Sequence, residues 1–233
     1  MTPLEVVINA EHSALDIDDA NQKVDTTGAM AGLLAPKLLE VYGASLSAKA
    51  LLGFGQHTGD RKVLTNSQSY SGSQQVSASY ASGYGVLGGA LTKSHAFSER
   101  FRAVALMGSD LVIQRVGSYT ESAYFAWDTR TIAQLQSRIE AGLEHGFHNN
   151  AATVFGRAGV ENRTLVAGQS QNYRISGTAV SFDGTKANDT YLTGHVGVTG
   201  QLGKATLFGG VIAKASVDTV RSLQAYAGIR AAF

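Results

Sequence analysis

Alternation with a period of two dominates this chain and limits what it can fold into. Counting back from the C-terminus, Phe233, Ala231, Ile229, Ala227, Ala225 and Leu223 are apolar. Between them lie Ala232, Arg230, Gly228, Tyr226, Gln224 and Ser222. Successive side chains on a β-strand point to opposite faces, so this is a strand with one apolar and one polar face. It runs for about eleven residues, the length of one tilted membrane-crossing strand.

The pattern recurs upstream. Leu192, Val196 and Val198 alternate with Thr193, His195 and Thr199, and Val154, Ala158 and Val160 with Thr153, Arg157 and Glu161. Leu135, Ile139, Ala141 and Leu143 alternate with Gln136, Arg138, Glu140 and Glu144. Leu46, Ala48, Ala50, Leu52 and Phe54 alternate with Ser47, Lys49 and Gly53, and Leu4, Val6, Ile8 and Ala10 with Glu5, Asn9 and Glu11. A soluble sandwich also alternates, but its packed core favours bulky branched residues. Here many apolar positions are Ala or Gly, and the polar positions carry both signs of charge. An apolar exterior around a polar, mixed-charge interior is what a transmembrane barrel requires.

Composition agrees. Charged residues make up 16%, below the roughly 25% of a soluble domain, and 27 of 233 residues are glycine. A net charge of +1 lacks the basic stripe of a nucleic-acid binder, so no nucleic-acid partner is expected. Without cysteine there is no disulfide framework and no thiolate metal site. No run of 18 apolar residues exists, and Met1 to Glu5 lacks the basic start and apolar core of a signal peptide, as expected of a protein that is not exported or of a piece excised from an exported one.

The links between strands alternate in length. Ser94 to Arg100, His145 to Asn150 and Leu202 to Lys204 are short; Asp16 to Thr27, His57 to Ser73, Val116 to Arg130 and Val166 to Asp189 are long. Short inner turns and long outer loops mark outer-membrane barrels. Ser216 to Thr219 departs from this by being short, and Pro36 interrupts the alternation between Gly28 and Tyr42. The expectation is an all-β, antiparallel transmembrane barrel in one domain, residues 1–233. Ten strands are visible, near 3–15, 28–40, 43–57, 74–93, 100–115, 130–145, 151–165, 190–202, 204–215 and 219–233. Phe101 and Phe233 are expected at an inner aromatic girdle, and Tyr119, Tyr124, Phe125 and Trp127 at an outer one.

Parity assigns Arg138, Glu140, Arg157, Glu161, His195 and Arg230 to the lumen, and Leu135, Ile139, Val154, Ala158 and Ile229 to lipid. Cross-wall pairing is expected among the inward charges. Other motifs carry less. Gly83-Tyr84-Gly85-Val86-Leu87-Gly88 spells a dinucleotide fingerprint but lacks the strand-to-helix setting, so its glycines are read as letting the wall bend. Gly108-Ser109-Asp110-Leu111 is no nucleophile elbow, and Asp110 shares lumen parity. Asp16-Ile17-Asp18-Asp19 lacks the glycine and distal Glu of a calcium loop. His145 and His148 lack a third ligand nearby. His57 and Asp60 are the one neighbouring pair that an outer-rim hydrolase could use. No cofactor, metal or catalytic residue is assigned.

Four stretches resemble a known family. Gly53-Phe54-Gly55-Gln56-His57-Thr58-Gly59-Asp60-Arg61 is similar to a strand and loop ending in Asp-Arg. Phe101 to Gln114 followed by Tyr119-Thr120-Glu121-Ser122 is similar to a strand leading into a Tyr-x-Glu loop. Leu135-Gln136-Ser137-Arg138-Ile139-Glu140-Ala141-Gly142-Leu143 resembles a Leu-x-Ser-x-Leu-Gly strand. Tyr226 to Phe233 fits a C-terminal assembly signal. In order and over nearly the whole chain, they resemble the C-terminal translocator barrel of type V secretion autotransporters. The resemblance implies a bacterial outer-membrane location, a passenger segment, and recognition by the barrel-assembly machinery through Tyr226, Gly228 and Phe233. Lipid is the surrounding partner, and a monomer is expected. That family has twelve strands and a lumen-threading helix; counted back from Phe233, this chain starts at the third strand, so it reads as a trimmed domain or a shorter relative. A ten-stranded adhesin or small pore without secretion is the alternative.

Overall fold

A computed structural model describes residues 4–17, 22–67, 70–121, 125–147, 151–175, 177–183, 188–216 and 220–232. Ten strands form a closed antiparallel ring: β1 (Glu5–Ile17), β2 (Gln22–Val41), β3 (Ala44–Ser67), β4 (Tyr70–Ala96), β5 (Phe101–Val116), β8 (Arg130–Phe147), β9 (Ala152–Ala167), β12 (Asn188–Leu202), β13 (Ala205–Ser216) and β14 (Val220–Ala232). Four short strands, β6 (Tyr119–Glu121), β7 (Phe125–Trp127), β10 (Ser170–Ile175) and β11 (Thr178–Asp183), make a second sheet in the order β11-β10-β7-β6. The ring closes between the first and last strands, with Glu5 opposite Ala232 and Ile17 opposite Val220. Closure leaves no unpaired edge within it, which is what lets strands cross lipid at all.

Tight turns lie at the inner end. Tyr42 (φ 50°) and Gly43 (φ 73°) join β2 to β3 as a two-residue turn with both φ values positive, whose twist matches the flanking strands. Gly203 (φ 62°) opens the β12–β13 turn. Between β4 and β5, the Ser98 side chain accepts from the Phe101 amide at 3.1 Å. Pro36, which has no amide to donate, sits where the β2–β3 register shifts between Ala35 and Leu39. The bulge explains the interrupted alternation there.

Exposure alternates along the strands. Leu52 (74% exposed), Leu192 (68%), Ile139 (65%), Leu135, Val154 and Ile229 all point outward, forming an apolar band around the ring. Asp110, Glu144 and Glu161, by contrast, are buried inside. A band of this extent on a soluble monomer would be an aggregation surface.

Much of the glycine content has a packing reason. Four aromatic rings lie over the glycine directly opposite on the next strand: Tyr84 over Gly53, Phe155 over Gly197, Tyr226 over Gly210 and Phe208 over Gly228. A Cβ on these glycines would fall 2.4–2.7 Å from the ring or its hydroxyl, closer than atoms can approach.

The expected loops need correction at the outer end. The segment 57–73 is not a loop: β3 and β4 continue as a long hairpin, paired from His57↔Tyr80 up to Ser67↔Tyr70. Likewise 16–27 is mostly strand. Links 116–130 and 166–189 hold the second sheet.

Candidate functional site

Inside the ring, buried carboxylates each hold two cations. Asp110 on β5 accepts from Lys49 Nζ at 2.9 Å and Arg138 Nη1 at 2.7 Å, and Arg138 Nε lies 3.8 Å from Glu140. Glu144 on β8 pairs with Arg102 at 2.6 Å and Arg157 at 2.7 Å. Glu161 on β9 takes Lys214 Nζ at 2.8 Å and Arg163 Nε at 2.7 Å, with the Arg163 guanidinium over the buried Tyr191 ring. Arg163 shares β9 with Glu161 and Glu140 shares β8 with Arg138; the other partners come from strands one to three places apart, so each cluster ties a stretch of wall from within. A carboxylate with two hydrogen-bonded cations offsets the desolvation of each charge. Gly88 makes one of these sites possible: a Cβ there would sit 1.8 Å from Asp110 Oδ1. The fingerprint-like glycine run thus ends in room for a carboxylate.

A polar bridge joins the walls of β4, β1 and β14. The Tyr84 hydroxyl donates to Glu11 Oε1 at 2.9 Å, and Gln224 Nε2 donates to Glu11 Oε2 at 2.6 Å. Tyr84 reaches over the inner faces of β3 and β2 to do so. Near the outer end, His57 shares hydrogen bonds with Thr26 (2.8 Å) and Ser82 (2.7 Å), and Gln114 donates to Ser82 at 3.0 Å. Asp60 is on the opposite face, receiving Ser77 Oγ at 2.5 Å. The pair His57/Asp60 is therefore not brought together, because their odd spacing sends them to opposite sides of the strand. At the inner end, cavities of about 440 and 380 Å3 share Arg102, Glu144, Thr199 and Arg230 in their linings.

Each residue that parity assigned to the lumen has a place. Arg138, Glu140, Arg157 and Glu161 join the clusters above. His195 meets the Tyr226 hydroxyl at 2.5 Å and packs edge-on against Phe155. Arg230 Nε lies 3.7 Å from Glu5 on the strand that closes the ring. Of the C-terminal trio, Tyr226 faces inward, Gly228 accommodates Phe208, and Phe233 lies outside the described residues. Parity also held the signal for partners not singled out earlier, namely Lys49, Arg102, Glu144, Lys214 and Arg163. It could not say which cation meets which carboxylate. Among the described residues no group of three potential metal ligands converges. Asp16 meets Lys23 at 3.6 Å, while Asp18, Asp19 and His148 lie outside the described residues.

The aromatics divide. Phe97, Phe101, His95, His145 and Phe147 cluster at the inner rim, with Phe97 and Phe147 exposed, as an inner girdle requires. Tyr119, Phe125 and Trp127 are not an outer girdle. They fold over the inner faces of β3 and β4, where Tyr119 stacks on Tyr80 (4.5 Å) and Trp127 on Tyr119 (6.0 Å). Tyr124 lies outside the described residues.

The closed ring, its apolar outside and its ion-paired inside define a transmembrane β-barrel. No described protein family matches the sequence, and no curated protein does. Solved structures do match, and translocator domains are among them. The translocator domain of the autotransporter NalP from Neisseria meningitidis superposes with a TM-score of 0.53 at 13% identity, over 100% of this chain and 89% of that one. The β domain of the Bordetella autotransporter BrkA gives 0.51 at 13%, over 99% and 100%. The transport unit of AIDA-I from Escherichia coli gives 0.51 at 11%, over 100% and 91%. At such identities the likeness is one of fold: this chain has the fold of an autotransporter translocator barrel.

Proposed function

We propose that residues 1–233 act as one outer-membrane barrel domain of a Gram-negative bacterium, which anchors in the membrane and supports secretion or surface display of a passenger segment. The observation that carries this is a ring with the translocator fold whose lumen is lined by paired charges and hydroxyls. Such a lining solvates a polar chain in transit. The work is done by Arg138, Glu140, Arg157, Glu161, His195 and Arg230 with their partners, as a monomer and without covalent chemistry. A second reading, a small pore or adhesin without secretion, draws support from the Tyr84–Glu11–Gln224 bridge, which narrows the lumen.

A reporter fused ahead of residue 1, behind a signal peptide, separates the two. The expected result is a reporter cleaved by protease added to intact cells. A reporter kept in the periplasm by an inserted barrel would favour the second reading. A barrel absent from the outer membrane would overturn both. In the same cells, deleting Phe233 is expected to lower the inserted amount while leaving refolding in detergent largely intact, if Tyr226, Gly228 and Phe233 are read by the assembly machinery. The lost apolar burial is on the order of 2 kcal/mol, small beside the backbone pairing of the ring. Equal loss in both settings would make Phe233 purely structural.

A further inference from the structure

The second sheet is built from two separate outer links. β6 and β7 come from the β5–β8 link, and β10 and β11 from the β9–β12 link; β7 pairs with β10, Trp127 opposite Tyr173. In the ring order β12-β9-β8-β5-β4-β3 this sheet starts above the first strands. Its far end is clamped to the last two from the inside. Arg61, on the inward face of β3, donates to Glu121 of β6 from Nε (3.1 and 3.2 Å) and Nη2 (2.5 Å). The same guanidinium lies 5.7 Å from the Phe125 ring centroid and 5.5 Å from that of Trp127. Glu121 is only 6% exposed. An aromatic stack extends the clamp from His57 through Tyr80, Tyr119 and Trp127 to Tyr173. The sheet is thus fastened to the inner faces of β3 and β4, on the lumen side of the wall.

The two stems are built differently from the far end. Gly117 donates its amide to Ala81 O at 2.9 Å, and Gly168 (φ 86°) accepts Arg130 Nε at 2.9 Å and Nη2 at 2.6 Å through its carbonyl. These glycines fix where each link leaves the wall and are backbone positions able to absorb a rotation. Among the described residues, in contrast, the side-chain attachment to β3 and β4 passes through Arg61, with Glu121, Phe125 and Trp127, and one aromatic stack. A bidentate, largely desolvated ion pair is strong when closed and has a hydrated alternative when open.

We propose that the β6–β7–β10–β11 sheet is a lid over the outer mouth, latched shut by Arg61 and Glu121 and released by breaking that one pair. This regulates the lumen described above and rests on the proposed function only in treating that lumen as a conduit.

The test is single-channel recording of the refolded barrel in planar bilayers. The unaltered protein is expected to stay mostly closed. Arg61→Ala and Glu121→Gln are expected to raise the ratio of open to closed time about tenfold or more, from the loss of a charge-assisted pair. The charge swap Arg61→Glu with Glu121→Arg is expected to restore closure. Heat-modifiable migration reports folding, and if Arg61→Ala fails to fold, Trp127→Ala, confined to the lid, is expected to give the same opening. Unchanged gating in the folded variants would overturn the lid, as would an unaltered barrel that is already fully open. A lid that opens as expected in a barrel that displays no reporter would overturn the secretion reading and leave the lid standing.

Discussion

The wall of the barrel and the sheet over its outer mouth are both antiparallel β-structure, yet they are specified differently. In the membrane-crossing part of the wall, the Pro36 bulge apart, the strands obey one rule, apolar outward and polar inward, because one face meets lipid and the other a charged lumen. A slip of one residue would turn Ile139 into the lumen and Glu140 into lipid, so the register is determined strand by strand. The lid obeys no such rule. β6 and β7 are three residues each, and their place depends on a few contacts with residues distant in sequence: Arg61 with Glu121 and Tyr80 with Tyr119. The wall is over-determined by repetition, whereas the lid rests on single interactions. Damage to the wall should therefore read out as lost stability, and damage to the lid as altered opening.

The largest stability effect is expected at the lumen clusters. Glu161→Ala leaves Lys214 and Arg163 as unbalanced charges, and breaking a buried pair from one side costs about 3–5 kcal/mol. Urea unfolding of the detergent-refolded protein measures it, and a loss below 1 kcal/mol would mean that lumen water already screens the cluster. Next comes the seat of an aromatic ring. Gly228→Val puts atoms where the Phe208 ring lies and close to Ile8 O, at a cost of about 1–3 kcal/mol from overpacking. Pairing it with Phe208→Ala should recover part of that loss; no recovery would show that the backbone contact, and not the ring, is the obstacle. A smaller effect is expected from Tyr84→Phe, which removes one hydrogen bond while Gln224 still serves Glu11, and costs about 1 kcal/mol. The smallest is Trp127→Ala. In the lid it should leave barrel unfolding within about 0.5 kcal/mol of the parent, while cleavage of the segment 119–127 by added protease increases. A fall in barrel stability as large as that of Glu161→Ala would erase the distinction between wall and lid.

How legible the sequence is follows the same division. Leu135 to Leu143 shows its faces plainly, and counting alone puts Arg138, Glu140, Arg157 and Glu161 on the polar faces of their strands. His57 and Asp60 show where proximity in sequence misleads, since the three-residue spacing puts them back to back. The outer aromatics mislead in another way: Tyr119, Phe125 and Trp127 have the composition of a membrane girdle, and nothing local says that the link folds inward. The hairpin of β3 and β4 beyond His57 is hidden because the sequence from Lys62 to Ser73 shows no period of two, while backbone hydrogen bonding continues regardless of side chain.

What the sequence determined by itself is the period, and with it the strands, their faces and the closed polar-inside ring, because lipid and lumen impose opposite demands on alternate residues. Only the tertiary structure decided which charges meet: that Asp110 gathers Lys49 and Arg138 from different strands, that Tyr84 crosses to Glu11, and that Glu121 comes back to Arg61. Those partners lie 28 to 73 residues apart along the chain. Their meeting depends on strand order, tilt and the room left by glycines such as Gly88 and Gly53, none of which a period of two encodes.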